Sequence, residues 1–311
     1  MDLHGAIEEF LLSKGTSWTA KTFKWNSYFL GRFEKWCREK SSPINKLEQI
    51  TPTLVQAFAA DTTPNTHTRH ARAQIVKGFL SWCASDAETG VKRGMVERIE
   101  MPRLVQSDVE LFSAEDINRL LRTCEGLYYP HRNKALIHVL LDTGIRASEL
   151  CFDSDRPAEL TGLRMENLYL SRGEDAYLRV MGKGQKGRTV GFGHETSLAV
   201  RRYLNRERVG SSEFVFLAQG GAPLSVRMLQ HFLDDLGERA GVPDCHAHRF
   251  RHTFAVSQLM AGTSDLVLMR LLGHTSLEAT KIYTRAMTQV QARRAAPSIM
   301  DRMKGRSSHV R

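Results

Sequence analysis

The chain has 311 residues, enough to bury a sizeable core and to divide into two domains. Its 44 Lys and Arg against 34 Asp and Glu give a formal net charge of +10, which favours a polyanionic partner through counterion release and long-range steering. Five cysteines (37, 83, 124, 151 and 245) are odd in number and share no C-x-x-C spacing, which argues against a disulfide framework or a thiolate zinc site. No stretch approaches the roughly eighteen apolar residues of a membrane helix, and the first residues lack a basic segment followed by a long apolar core. The sequence therefore predicts a soluble, cytoplasmic protein with free thiols.

The first hundred residues read as short helices. Leu3, Ile7, Phe10 and Leu11 form one apolar stripe, and Trp25, Phe29, Phe33 and Trp36 form a second that ends before Pro43; both stripes are expected to be core. Thr51-Pro52 is an N-cap followed by proline at the first helical position. A fourth helix is expected from about Thr66 to Cys83. Residues 62 to 85 contain no Asp or Glu but carry His67, Arg69, His70, Arg72 and Lys77, so Arg69, Arg72 and Lys77 are candidates for a phosphate-facing surface.

Residues 86 to 112 change texture, with Gly90, Gly94 and the extended Met101-Pro102-Arg103. This is the expected domain boundary: residues 1–100 a helical domain, 101–112 a linker, and 113–311 a second domain. Ser113 caps a new helix with Glu115 and Asp116 in its first turn. A helix after Tyr129-Pro130 stops at Asp142-Thr143-Gly144 and delivers Arg146, held near a tight turn where a rigid phosphate ligand can form. Glu149, one turn further, either braces it or faces water.

From about Leu163 the apolar period falls to two. Leu168-Tyr169-Leu170, Tyr177 to Met181 and Arg188-Thr189-Val190 read as a small antiparallel sheet, with Lys183 on the hairpin between the second and third strands. Helices then resume at about Glu195 to Arg208, Ser225 to Arg239, His248 to Met260, Asp265 to Leu272 and Ser276 to Thr284, followed by a basic tail. The stretch from His246 to Tyr283 gathers His248, Arg251, His274 and Tyr283. Helical spacing lets His248 and Arg251 face one point, and Gly273 ends a helix to leave His274 on a loop. A guanidinium for non-bridging oxygens, imidazoles for protons and a phenol oxygen for attack suit phosphoryl transfer to tyrosine.

Five segments, T-G-I-R-A-S-E-L, G-K-G-Q-K-G-R, H-R-F-R-H-T-F-A, L-L-G-H and T-K-I-Y, resemble in order and spacing the tyrosine recombinases, or phage-integrase family. The likeness covers about residues 113 to 285, and the helical front resembles the family's core-binding domain more loosely. It implies a mainly α fold with a small antiparallel sheet (α+β), in which a helical core-binding domain precedes a mixed catalytic domain. It also implies catalytic roles: Arg146 and Arg251 hold phosphate, Lys183 protonates the leaving 5′ oxygen, His248 and His274 assist proton transfer, and Tyr283 attacks. The whole chain resembles the short, Xer-type members. They imply a C-shaped clamp around double-stranded DNA, a tetramer on paired sites, room for accessory proteins, and no metal or ATP, because the phosphotyrosyl bond retains the phosphodiester's energy. One departure stands out: Cys151 to Leu160 looks inserted after Ser148-Glu149-Leu150.

Two rival readings share part of this residue set, a type IB topoisomerase and a DNA-binding regulator with a silent site. The short length and motif spacing oppose the first, and the intact set of six residues opposes the second. A zinc site from Cys245, His246, His248 and His252 has its ligands too close together to close a tetrahedron.

Overall fold

Helical caps and periodic apolar stripes dominate the sequence, and helices dominate the computed structural model, with a single three-stranded antiparallel sheet among the described residues. These are residues 1–63, 65–104, 109–156, 158–170, 176–181 and 187–295. Lys183, the turn at 171–175 and the basic tail from residue 296 lie outside them. The chain divides into two compact units, Met1–Ser107 and Asp108–Arg311.

The first unit contains α1 (Leu3–Lys14), α2 (Ala20–Arg38), α3 (Pro52–Ala60), α4 (Thr66–Cys83) and α5 (Arg93–Glu97). Each of the first four begins at a side-chain cap: Asp2, Thr19, Thr51 and Asn65 accept backbone N–H groups that the helix cannot satisfy itself. Phe10, Phe33, Phe58 and Phe79 fill the core, with edge-on rings 5.0 Å apart for Phe33 and Phe58 and 5.5 Å for Phe10 and Phe79. The second aromatic stripe is only partly core, since Phe29 and Phe33 are buried while Trp25 is 54% exposed.

Arg72 corrects an expectation. It is 5% exposed, donates to the carbonyl of Asp61, and lies over the rings of Phe29 and Phe58 at 6.0 and 5.7 Å. Its cation is used inside the unit, capping the chain where α3 ends, and does not face a phosphate. Arg69 and Lys77 are half-buried, donating to the Thr63 and Ile99 carbonyls at 2.7 Å each. Counting acids along α4 missed these partners because backbone carbonyls carry no formal charge.

The second unit contains α6 (Ala114–Thr123), α7 (Pro130–Thr143), α8 (Ala147–Leu150), β1 (Leu168–Tyr169), β2 (Tyr177–Met181), β3 (Gly187–Gly191), α9 (His194–Arg206), α10 (Val226–Ala240), α11 (Ala247–Met260), α12 (Asp265–Leu272) and α13 (Glu278–Ala295). The strands pair in the order β1-β2-β3, with Leu178 opposite Val190 and Val180 opposite Arg188. Leu178, Val180 and Val190 turn one face of the sheet onto the core. Helix α11 lies deep in the unit, burying Phe250, Phe254, Ala255 and Val256. Segment 109–112 is tied to it by the Phe112 N–H donating to Thr253 Oγ1 at 3.0 Å and by Arg249 donating to the Leu111 carbonyl, also at 3.0 Å.

Some boundaries differ from expectation. Helix α13 runs on past Thr284, because no glycine or proline interrupts the sequence before Pro297. Strand β1 stops one residue early. The apparent insertion after Leu150 is pinned at its start, where the Phe152 N–H donates to the Leu224 carbonyl at 2.9 Å and the Phe152 carbonyl accepts from Val226 at 2.8 Å.

Candidate active site

Two glycine-ended helices build the site. Helix α7 ends at Gly144 (φ 56°) and α12 at Gly273 (φ 64°), both left-handed, which turns the chain away and leaves the last carbonyls without helical partners. Side chains larger than hydrogen do not fit at either glycine: a Cβ on Gly144 would meet Phe254 at 2.3 Å, and one on Gly273 would meet Arg188 Nη1 at 2.8 Å. Arginines take up the carbonyls. Arg251 of α11, 2% exposed, donates Nη1 to Gly144 O and Nη2 to Leu272 O, both at 2.7 Å. Arg146 donates Nη2 to Gly273 O at 3.2 Å.

Arg146 is also the N-cap residue of α8, which explains its partner. Glu149, at the third helical position, accepts the Arg146 backbone N–H on Oε2 at 2.7 Å, half of a capping box, and accepts Arg146 Nη1 on Oε1 at 3.0 Å. Arg188 of β3 grips the same carboxylate with both ends of its guanidinium, Nη1 to Oε1 and Nη2 to Oε2 at 2.8 Å each. Its Nε donates to Leu271 O at 2.7 Å. Burial pushes the Glu149 carboxyl up, but the Arg188 hydrogen bonds and charge, with the Arg146 backbone N–H and charge, outweigh this and hold it below the usual carboxylate range.

Tyr283, on α13, is 3% exposed. Its ring lies 6.1 Å from that of His274 in near-parallel planes and 5.4 Å from that of His252, which in turn meets His248 edge-on at 4.7 Å. Burial raises the Tyr283 phenol, and the charge and hydrogen bonding of Arg251, with the charge of Arg146, partly offset the rise. His274 donates or accepts through Nδ1 with the buried Thr280 hydroxyl at 3.0 Å. Its imidazole is brought down to about 4 by burial and by the charges of Arg251, Arg146 and Arg188. His252 falls to about 4 by burial and its histidine and arginine neighbours, and His248 is lowered for the same reasons. Arg251 itself is lowered to about 10 by burial and by Arg146.

These shifts come first from burial, and the neighbouring cations add to it, so an anion entering beside these groups would offset part of that charge. Chemically the cluster offers two clamped guanidinia, neutral imidazoles at pH 7, and a phenol that has to lose its proton to act.

Of the six residues singled out from sequence, five fall in this cluster (Arg146, His248, Arg251, His274 and Tyr283), and the sixth, Lys183, lies outside the described residues. Arg188 is the site residue that sequence reading passed over. Its signal was strand phase, because Arg188 shares a face with the buried Val190, where a charged residue needs a buried partner. The zinc reading gains nothing: Cys245 is buried with its thiol pushed up to about 12, and among the described residues no group of three His, Cys, Asp or Glu is placed to hold a metal. None of the described helices is long and apolar enough to cross a membrane.

This arrangement, a tyrosine beside paired arginines and histidines on a mainly helical scaffold with a small sheet, brings together the groups that phosphoryl transfer of the tyrosine-recombinase kind requires. The phage integrase family model matches residues 155–289. A tyrosine recombinase XerC of Mycobacterium sp. (strain KMS) is 30% identical over 266 residues, covering 80% of this chain and 82% of its own. One of Lacticaseibacillus casei (strain BL23) is 33% identical over 203 residues, 62% of this chain and 64% of its own. In fold, the chain is similar to the Tn1549 transposon integrase solved in complex with transposon right-end DNA (TM-score 0.71, 16% identity, 96% of this chain and 100% of that one). The chain belongs to the phage integrase family and is a site-specific recombinase of the tyrosine, Xer-like type.

Proposed function

We propose that the chain cuts and rejoins strands of double-stranded DNA through a 3′-phosphotyrosyl intermediate on Tyr283. The observation that carries this assignment is the pair of guanidinia from Arg146 and Arg251, each fixed on the carbonyl end of a glycine-stopped helix, beside the phenol whose charge they favour. Arg146 and Arg251 bind the non-bridging oxygens of the scissile phosphate, offsetting charge as it builds in the transition state. His248 and His274, neutral at pH 7, take part in moving the phenol proton and in stabilising the phosphoryl oxygens. Tyr283 forms the P–O bond as the 5′ oxygen departs, and the reverse attack by a 5′ hydroxyl reseals the strand, so no external energy source is consumed.

Arg146→Lys and Arg251→Lys test the clamp. An ammonium keeps the charge but cannot form two parallel N–H bonds, so each variant is expected to lose on the order of a hundredfold in cleavage rate, as for loss of an oxyanion-hole donor, while duplex binding is retained. Near-normal cleavage by either variant would reassign that residue to the DNA-binding surface.

Lys183 is proposed as the acid for the leaving 5′ oxygen. Lys183→Ala is expected to be slow on ordinary DNA, where a positioned acid contributes roughly 10²–10⁴-fold. It should cleave DNA with sulfur at the bridging 5′ position nearly as fast as the unaltered chain, since a thiolate departs unprotonated. Equal slowness on both substrates would move the role to Lys186 or a histidine.

The reading extends to assembly and place. We extend it to four copies acting on two paired sites in the cytoplasm, as the sequence's resemblance to short Xer-type members implies. Arg69 and Lys77, whose half-buried cations lie on α4, stay candidates for duplex contact, and Arg72 does not.

A further inference from the structure

Glu149 presents a difficulty for a phosphate site. It is a buried carboxylate hydrogen-bonded to Arg146, the residue assigned to phosphate, and an unopposed carboxylate there would compete with the substrate for that guanidinium. Counting Arg146 and Glu149 alone, the pair is neutral. Arg188 changes the balance, since its guanidinium spans both carboxylate oxygens at 2.8 Å and restores one net positive charge to the trio.

We infer that Arg188 is a positioning residue for the recombination reaction: by engaging Glu149 on both oxygens it leaves that carboxylate able to orient Arg146 without neutralising it. This inference rests on the phosphate-binding role proposed for Arg146. Three features of the fold support it. Arg188 sits on the inward phase of β3, opposite Val180 and two residues from Val190, so the strand delivers its side chain to the interior. Its side chain is 12% exposed, against 34% for Arg146, so the cation left nearer to solvent is the one assigned to phosphate. Its Nε is tied to Leu271 O, and its Nη1 lies 2.8 Å from where a Cβ on Gly273 would stand, so the turn carrying Gly273 O, a second acceptor for Arg146, packs against it. Arg188 therefore bonds the carboxylate that holds Arg146 and packs against the turn that carries its second acceptor.

The position of Arg188 in the chain adds a consequence. Lys183 falls in sequence between β2 and β3, and Arg188 is the second residue of β3, so one side chain joins the start of that strand to the phosphate-binding arginine.

The test uses the full chain and a pool of random-sequence duplexes in which sulfur replaces bridging 5′ oxygens. The departing thiolate religates poorly, so covalent protein–DNA adduct accumulates, and Lys183 is not required. Adduct formation is timed at saturating protein, with duplex binding and thermal unfolding followed in parallel. Arg188→Met is expected to bind the pool as the unaltered chain does but to form adduct about a hundredfold more slowly, comparable to losing one preorganised donor. Arg188→Lys, which keeps the charge opposite Glu149, should stay within about tenfold of the unaltered chain, since one salt bridge of reduced geometry remains. Adding Glu149→Gln to Arg188→Met should recover at least about tenfold in rate, because the competing charge is gone.

A packing role would be lost in both single variants and would not be rescued by removing a charge. The inference is overturned if Arg188→Met forms adduct at the normal rate, or if the double variant, folded at the assay temperature, is no faster than Arg188→Met. Should Arg188→Met fail to fold, Arg188→Lys decides: a folded Arg188→Lys as slow as Arg146→Lys overturns the charge-balancing role. An adduct that persists in Tyr283→Phe would instead remove the reading on which the inference stands, an outcome the Arg188 series cannot imitate.

Discussion

His252 carries a buried polar atom at a cost to stability. Its ring stands against Tyr283 and His248, yet its Nδ1 is buried and has no hydrogen-bond partner among the described residues. An unsatisfied buried polar atom is unfavourable, and an apolar group of the same shape is often neutral or stabilising there. The histidine is also held near 4 against an ordinary value of 6.5, so below pH 6.5 the unfolded chain binds a proton that the folded chain resists until about pH 4. Folded stability from this group is therefore lost as pH falls through that window. His252→Phe is expected to be at least as stable as the unaltered chain at pH 7 and to lose less stability on acidification to pH 5, read from urea midpoints. Parallel loss in both proteins would show that the depressed histidine does not govern this range. Residue types were legible in the sequence wherever chemistry required a particular side chain, as with Arg251 and Tyr283. Less legible were residues whose meaning depends on a three-dimensional partner: Arg72 finds a carbonyl and two rings, and Arg188 finds Glu149 thirty-nine positions away.

At the level of elements, the site depends on where two helices stop. Gly144 combines a left-handed backbone with a Cβ position only 2.3 Å from Phe254 Cδ1, and its carbonyl is an acceptor for Arg251. Gly144→Ala thus imposes both backbone strain and overpacking, together at least about 1–3 kcal/mol. Its urea midpoint should fall accordingly, and cleavage should fall further than stability alone explains, since Gly144 O is displaced from Arg251. A variant with an unchanged midpoint would show that the turn relaxes freely. Helix starts and stops with local chemical signals were readable from the sequence: Thr51-Pro52, Ser113, Gly144 and Gly273 all mark observed boundaries. Where no local signal exists, as along α13 beyond Thr284, the end was set too early. The short length of β1 depends on pairing with β2 and not on its own residues.

For the molecule as a whole, the mainly α class with a small antiparallel sheet followed from the change of apolar period from near four to two and back, which needs no tertiary information. A net charge of +10 acts at long range on a polyanion, whereas the guanidinia of Arg146, Arg188 and Arg251 near the Glu149 carboxylate act only at short range. On the proposed reading the two clamped arginines fill the place that metal ions take in other phosphoryl transfers, so cleavage should continue in excess EDTA. The most direct measurement is therefore to trap covalent protein–DNA adduct in EDTA and map the modified peptide by mass spectrometry, with Tyr283→Phe beside the unaltered chain. We expect a nucleotide on Tyr283, and in Tyr283→Phe unchanged duplex binding with no adduct. Adduct on another residue, or an undiminished yield from Tyr283→Phe, would contradict the assignment of Tyr283 as the nucleophile.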